Sequence, residues 1–251
     1  MAGVAGRPRT CFDTCVSKSL AIPGRFNGPL ESGNGGYSAG AIAAFVDADV
    51  AEVSLRSPVP LESSLEVVRG GDSAVRVLDG ETLVAEARSI PDLGTEPPEP
   101  VGIDAARDAA GRYRGLTGGQ FSQCFVCGRD REDSLGVFAG EVEGREVVAS
   151  PWTPPAWAAD ADGSVRPEIV WAALDCPTFF AAYLRDELPI SFLVRMAARI
   201  DAPVTAGEEH AVIAWPLETE GRKSEAASAI LSADGETLAV ARVLLLAPRQ
   251  S

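Results

Sequence analysis

A single histidine, His210, serves a chain of 251 residues. That shortage removes much of the usual catalytic repertoire. A Ser-His-Asp relay needs an imidazole placed between a nucleophile and an acid, and a lone histidine in a strand-like run gives that class no support. A Cys-His pair fails for the same reason, because no histidine is near Cys176 in sequence. Dinucleotide-binding, P-loop and HExxH metalloprotease signatures are missing as well, and a Gly-x-Ser-x-Gly nucleophile motif is not expected. Positive charge is scarce: 22 Lys and Arg stand against 36 Asp and Glu, for a formal net charge of −14. Such a chain has no general field for nucleic acid or for anionic membranes, so neither is an expected partner. No apolar run approaches the ~18–20 residues needed to span a bilayer. The opening MAGVAGRPRTCFDTC has no apolar core of the signal-peptide kind, and the expected location is the cytoplasm.

Cysteine is sparse and odd in number, at five. That points to free thiols rather than a disulfide framework. Cys124 and Cys127 form a Cys-x-x-Cys pair, but a zinc site needs about four ligands. Cys11 and Cys15, spaced by three residues, and His210 do not complete a convincing set. No disulfide, metal or cofactor is expected.

What the chain does contain is a repeat. DGETL occurs at Asp79–Leu83 and again at Asp234–Leu238, each time opening an apolar, strand-like run. Upstream of each lies one Ala-rich helix candidate. The first reads GGYSAGAIAAFV and opens through Asn34-Gly35-Gly36; the second reads PEIVWAALDCPTFFAAYL and opens through Arg166-Pro167-Glu168. Nine residues after Asn34 stands Ala43, and nine after Arg166 stands Asp175. One helix therefore has glycines at its start and no acid, while the other has an acid and no glycines. Asp-Gly is ordinary turn chemistry, so the shared order of elements carries the case for duplication more than the pentapeptide does.

Each helix precedes four β-type runs. AEVSLRS, SLEVVRG, SAVRVLD and TLVAEARSI follow the first, broken by Pro-Val-Pro, Gly-Gly and Asp-Gly. ISFLVRMAARID, EHAVIAWPLE, SEAASAILS and TLAVARVLLL follow the second. SLAIPGRFNG, SLGVFAGEVEG and REVVASPW also look like strands. The first helix is placed from about Gly36 to Val46. Between the repeats, PDLGTEPPEPVG is Pro-rich and IDAARDAAGRYR predicts a short surface helix. The division is thus residues 1–92, a linker at 93–123, and 124–251.

A helix wrapped by an antiparallel sheet is the hotdog arrangement. One such layer leaves surfaces uncovered, so the unit pairs. The expected class is α+β: two fused hotdog folds, each an antiparallel sheet around one long helix, forming an intrachain pseudo-dimer. The sheets should meet edge to edge with both helices on one side.

Three segments resemble a known family. CFVCGRDREDSLGVFAGEV (Cys124–Val142) resembles the CF(V/G)CG…GL…F stretch of hotdog thioesterases of the phenylacetate-pathway and 4-hydroxybenzoyl-CoA type. GNGGYSAG (Gly33–Gly40) resembles their HGG(Y/V)xA helix start, and WAALDC (Trp171–Cys176) their AALLDE acid segment. The whole pattern, over about residues 17–247, is similar to double-hotdog thioesterase-like proteins. The resemblance implies that Gly35 and Gly36 present backbone N–H groups to a thioester, that Asp175 is the catalytic acid, and that Asn34, Tyr37, Trp171 and Thr178 contact substrate. Asn34 stands where the family has histidine, Pro167 has no N–H, and Ala43 replaces an acid, so one of two sites is retained.

The chemistry can be argued without the family. Acyl transfer from sulfur needs a donor for the developing oxyanion and a base or nucleophile. A glycine at a helix start offers a free N–H backed by the helix dipole. Asp175 in an apolar helix can attack directly or activate water, and the sequence does not choose. It can also satisfy backbone groups where Pro177 interrupts the helix. The expected substrate is acyl-CoA or a related acyl thioester. A non-catalytic acyl or small-molecule binder and a hydratase or dehydratase on the same scaffold stay open, as does a homo-oligomer of such units.

Overall fold

A computed structural model describes residues 18–70, 74–115, 121–184, 186–187 and 189–249. In chain order the elements are β1 (Lys18–Leu20), α1 (Gly35–Ala43), β2 (Ala51–Leu55), β3 (Leu65–Arg69), β4 (Val75–Asp79) and β5 (Thr82–Ser89), then α2 (Ile103–Ala110), β6 (Gly140–Glu141) and β7 (Val148–Trp152). After these come α3 (Pro167–Ala182), β8 (Phe192–Ile200), β9 (His210–Glu220), β10 (Lys223–Leu231) and β11 (Thr237–Leu246).

The strands form one sheet in the order β1-β3-β4-β5-β2-β8-β11-β10-β9-β7-β6, with every pair antiparallel. The inner eight strands read as a palindrome. Second, third, fourth and first strand of one set meet first, fourth, third and second of the other. The joint is the β2–β8 pair, with Ala51 opposite Ala198 and Val53 opposite Met196.

Sequence alternation explains which sheet face is buried. In β3 and β4, Leu65, Val67, Val75 and Val77 turn inward while Glu66 and Arg76 turn away, as a period of two requires. In β9 and β10 the apolar runs are nearly continuous, because both faces are covered. On one side lies the main core with α1 and α3. On the other, α2 and the preceding Pro-rich segment lay Leu93, Val101, Ala106 and Ala109 over Ala211, Ile213 and Ala229. The predicted surface helix is thus the lid of a second core.

Three elements differ from the sequence expectation. The first helix is short, nine residues ending at Ala43. Phe45 and Val46 bond back three residues, to Ile42 and Ala43, in a tight turn. Of SLGVFAGEVEG only Gly140–Glu141 is strand. The preceding stretch instead folds against the first half of the chain: Phe125 N–H donates to Asn27 C=O at 2.8 Å, and the Phe125 ring stands edge-on to the stacked pair Phe26 and Tyr37. Finally, α3 runs through Pro177 without a break in assignment.

Pro177 cannot donate to the helix ladder. Two neighbouring carbonyls are served from side chains: Ser228 Oγ donates to Leu174 C=O at 2.7 Å and Thr178 Oγ1 to Asp175 C=O at 2.6 Å. Ser228 is fully buried. Ser228→Ala is expected to destabilise the fold by roughly 1–3 kcal/mol, the cost of a buried acceptor left without its donor. A melting temperature equal to that of the parent chain would show that the bond is not needed.

Candidate functional site

Two helices make the site by touching almost without side chains between them. A Cβ on Gly36 would stand 2.5 Å from Asp175 Cβ and 2.6 Å from Trp171 O. One on Gly40 would stand 2.7 Å from Glu168 Cα. As α1 advances from Gly36 to Gly40, its contacts on α3 retreat from Asp175 to Glu168, so the helices pack antiparallel. Glycine at these two positions lets the backbones approach.

That approach brings the start of α1 to Asp175 of α3. Asn34 caps α1, its Oδ1 accepting from Tyr37 N–H at 2.8 Å. The next free donor of the first turn, Gly36 N–H, donates to Asp175 Oδ2 at 2.7 Å. Asp175 is buried, at 7% exposure. Burial pushes its carboxyl up to about 7, against the opposing pull of the Gly36 N–H. The carboxylate and the helix start are thus one hydrogen-bonded unit.

A cavity of about 610 Å³ opens on this unit. Asn34, Gly35, Asp175 and Cys176 line one part, and Phe121, Phe179, Phe180, Phe192, Leu193 and Leu245 give the rest an apolar character. Arg56 and Glu31 also belong to the wall. Gly36, Tyr37, Trp171 and Thr178 do not. Tyr37 is stacked on Phe26 with ring centroids 3.9 Å apart. Its hydroxyl is pushed up to about 12 by burial and then by Glu168. Trp171 is spent on the helix contact at Gly40, and the hydroxyl of Thr178 on the carbonyl of Asp175.

The corresponding place at the other end of the helix pair is different. Glu168 is held by Arg166 at 2.9 Å, and Ala43 offers no acid. Against the expectation that no such motif is present, Gly36-Tyr37-Ser38-Ala39-Gly40 matches Gly-x-Ser-x-Gly. A nucleophile elbow needs its serine exposed at a strand-to-helix turn. Ser38 instead lies within α1, fully buried and away from the cavity wall. His210 is buried in β9, its Nε2 3.1 Å from Thr205 O, also away from that wall.

The cysteines supply what sequence reasoning did not foresee. Cys124 and Cys127, from the turns that precede β6, meet Cys176 of α3, and all three line the cavity. Their sulfurs lie within 4.8 Å of one another. The thiols of Cys127 and Cys176 hydrogen-bond to the Cys124 sulfur and hold it well below the usual thiol range, while they are themselves pushed up. Cys11 and Cys15 lie outside the described residues. Only the adjacency of Cys176 to Asp175 hinted at this meeting in the sequence.

No protein-family model matches the chain, and no curated protein matches it in sequence. Solved structures do resemble it. A conserved protein with a hot dog fold from Alicyclobacillus acidocaldarius superposes with a TM-score of 0.61 at 11% identity, covering 96% of this chain and 98% of its own. A tesB protein of Mycobacterium avium subs paratuberculosis does so with a TM-score of 0.57 at 14% identity, over 93% of each chain. A protein of Thermobifida fusca with the provisional name thioesterase II gives a TM-score of 0.56 at 13% identity, over 97% of this chain and 99% of its own. At these identities the likeness establishes the fold: the chain is a hotdog protein along nearly its whole length.

Proposed function

We propose that this chain is a hydrolase of acyl thioesters, acyl-CoA being the expected class, acting at one composite site between two fused hotdog halves. In this reading residues 1–92 and 124–251 are the halves of an intrachain pseudo-dimer and 93–123 join them. The palindromic strand order and the antiparallel α1–α3 contact support it. The observation that carries it is the 2.7 Å bond from Gly36 N–H of one helix to the Asp175 carboxylate of the other, at the wall of an apolar cavity. The thioesterase name carried by a neighbour of the same fold agrees with it.

The roles follow from the geometry. The acyl group lies among the phenylalanines. The thioester carbonyl takes its hydrogen bond from the N–H groups at the start of α1, where the dipole favours a developing negative charge. Gly36 N–H is engaged by the carboxylate, so substrate must displace Oδ2 from it or use Gly35 N–H. Asp175 then attacks the carbonyl or removes a proton from an attacking water. In the water route the hydroxyl oxygen bonds to the carbonyl carbon, the carbon–sulfur bond breaks and the thiol and carboxylic acid leave together; in the direct route Asp175 displaces the thiol to form a mixed anhydride, which water then cleaves to free the acid and regenerate the carboxylate.

A second reading has its own observation. Asp175 completes the cap of α1, a structural duty that needs no turnover, and this favours a non-catalytic acyl binder. The hydratase reading finds no histidine on the cavity wall. Incubation with a panel of acyl-CoAs separates the three. Thiol release is the expected result. Saturable binding without thiol release would replace hydrolysis by binding, and a change in enoyl absorbance would replace it by hydration.

A further inference from the structure

Three thiols that converge from two distant segments are unusual in a chain with so few cysteines. Cys124 and Cys127 come from one tight turn and Cys176 from the middle of α3. Cys124 Sγ and Cys176 Sγ are 3.8 Å apart, too far for a bond between them, and Cys127 Sγ completes a triangle within 4.8 Å. Two of the residues are buried, and Cys176 is partly open toward the cavity.

Two N–H donors face the sulfurs. Val126 N–H points to Cys124 Sγ at 3.5 Å. Asn34 Nδ2 lies 3.8 Å from both Cys124 Sγ and Cys176 Sγ. The turn that aims Val126 N–H depends on Gly128, where a Cβ would stand 2.6 Å from Cys124 O and from Ser122 O. N–H donors aimed at sulfur stabilise thiolates, the form in which cysteine ligates a metal. Ordinary packing of cysteine as a small apolar side chain asks for none of them.

We propose that Cys124, Cys127 and Cys176 bind one zinc ion, with Asn34 and the Val126 amide orienting the thiolates and a fourth position open to the cavity. The dimensions agree: zinc–sulfur bonds of about 2.3 Å in a tetrahedron set the sulfurs about 3.8 Å apart, the separation seen between Cys124 and Cys176. All-sulfur ligation excludes magnesium and calcium, which take oxygen. Three protein ligands with one exchangeable position is the pattern of reactive rather than purely structural zinc. On binding, each thiol yields its proton to solvent and the sulfur lone pair goes to the metal. The inference does not depend on the thioester reading, since binding is measured without turnover.

The test uses the reduced full chain, stripped by a chelator and titrated with zinc ions alone against a competing chromophoric chelator. The expected stoichiometry is about one ion per chain. Cobalt in place of zinc should give a sulfur-to-metal charge-transfer band of three-thiolate intensity, a readout that needs no variant. Outer-shell changes alone cost ~10–100-fold in affinity. Cys127→Ser and Cys176→Ser should therefore each weaken zinc binding at least about 10-fold, while Cys11→Ser with Cys15→Ser leaves it unchanged. Four results overturn the proposal. They are no zinc uptake by the parent chain, a two-thiolate cobalt band, uptake that survives Cys127→Ser and Cys176→Ser, and uptake lost in the Cys11 and Cys15 variant.

Discussion

Under the proposed mechanism, Asp175→Asn is expected to lower kcat for acyl-CoA hydrolysis by about 100-fold or more, the scale of removing a positioned general base, and to leave the chain folded. The substitution isolates the charge. An asparagine Oδ1 can still accept from Gly36 N–H, so the cap on α1 and the contact between the helices survive. What disappears is the capacity to attack a thioester or to take a proton from water. Desolvation of a carboxylate at 7% exposure also disappears, so the melting temperature should stay level or rise. Substrate binding should change little, because the phenylalanine wall is untouched, and KM should move far less than kcat. Turnover at the parent rate in a folded Asp175→Asn chain would leave Asp175 with only its capping duty and remove the hydrolytic mechanism.

Gly36→Ala tests the contact on which that mechanism stands. Its new methyl would meet Asp175 Cβ at 2.5 Å, Trp171 O at 2.6 Å and Ala172 Cα at 3.0 Å. Two of these belong to the helix backbone and the third is rooted on it, so no flexible side-chain end can swing away. The helices must separate, at a cost of roughly 1–3 kcal/mol for an overpacked core. A chain of this length loses about 2–4 °C per kcal/mol, so the expected fall in melting temperature is roughly 2–12 °C. Separation also draws the N–H away from Asp175, so turnover should fall with stability. Gly35→Ala is the comparison. Its methyl would meet first Leu193 Cδ2 at 2.7 Å, the end of a flexible side chain, and the stability loss should be smaller. A thermal melt of Gly36→Ala that matches the parent would show that the helices have room to spare.

Several of these features were legible in the sequence. Apolar, β-type runs between turn residues located β2 to β5 and β8 to β11, because a strand buries one face against a core, or both where both are covered. The nine-residue spacing shared by Asn34–Ala43 and Arg166–Asp175 singled out the helix start and the acid that the fold brings within 2.7 Å of each other. Other features depended on contacts between distant segments. Nothing local marks Ala106 and Ala109 as the lid of a second core, since an Ala-rich amphipathic turn suits solvent as well. The run at 135–139 has strand composition, yet Phe125 is drawn into the Phe26–Tyr37 stack and carries the neighbouring backbone away from the sheet edge. Tyr37, Trp171 and Thr178 are close to the site in sequence, but the helical period turns them from the cavity. The thiol cluster was hidden because Cys176 lies far along the chain from Cys124 and Cys127.

The β2–β8 joint lies within a single polypeptide. Were its halves separate molecules, mass action would govern their union, and dilution would empty the joint. Here one chain supplies both edges, and the chain between β2 and β8 fixes their local concentration whatever the number of chains in solution. Melting that involves only this joint should keep one midpoint across a wide range of protein concentration.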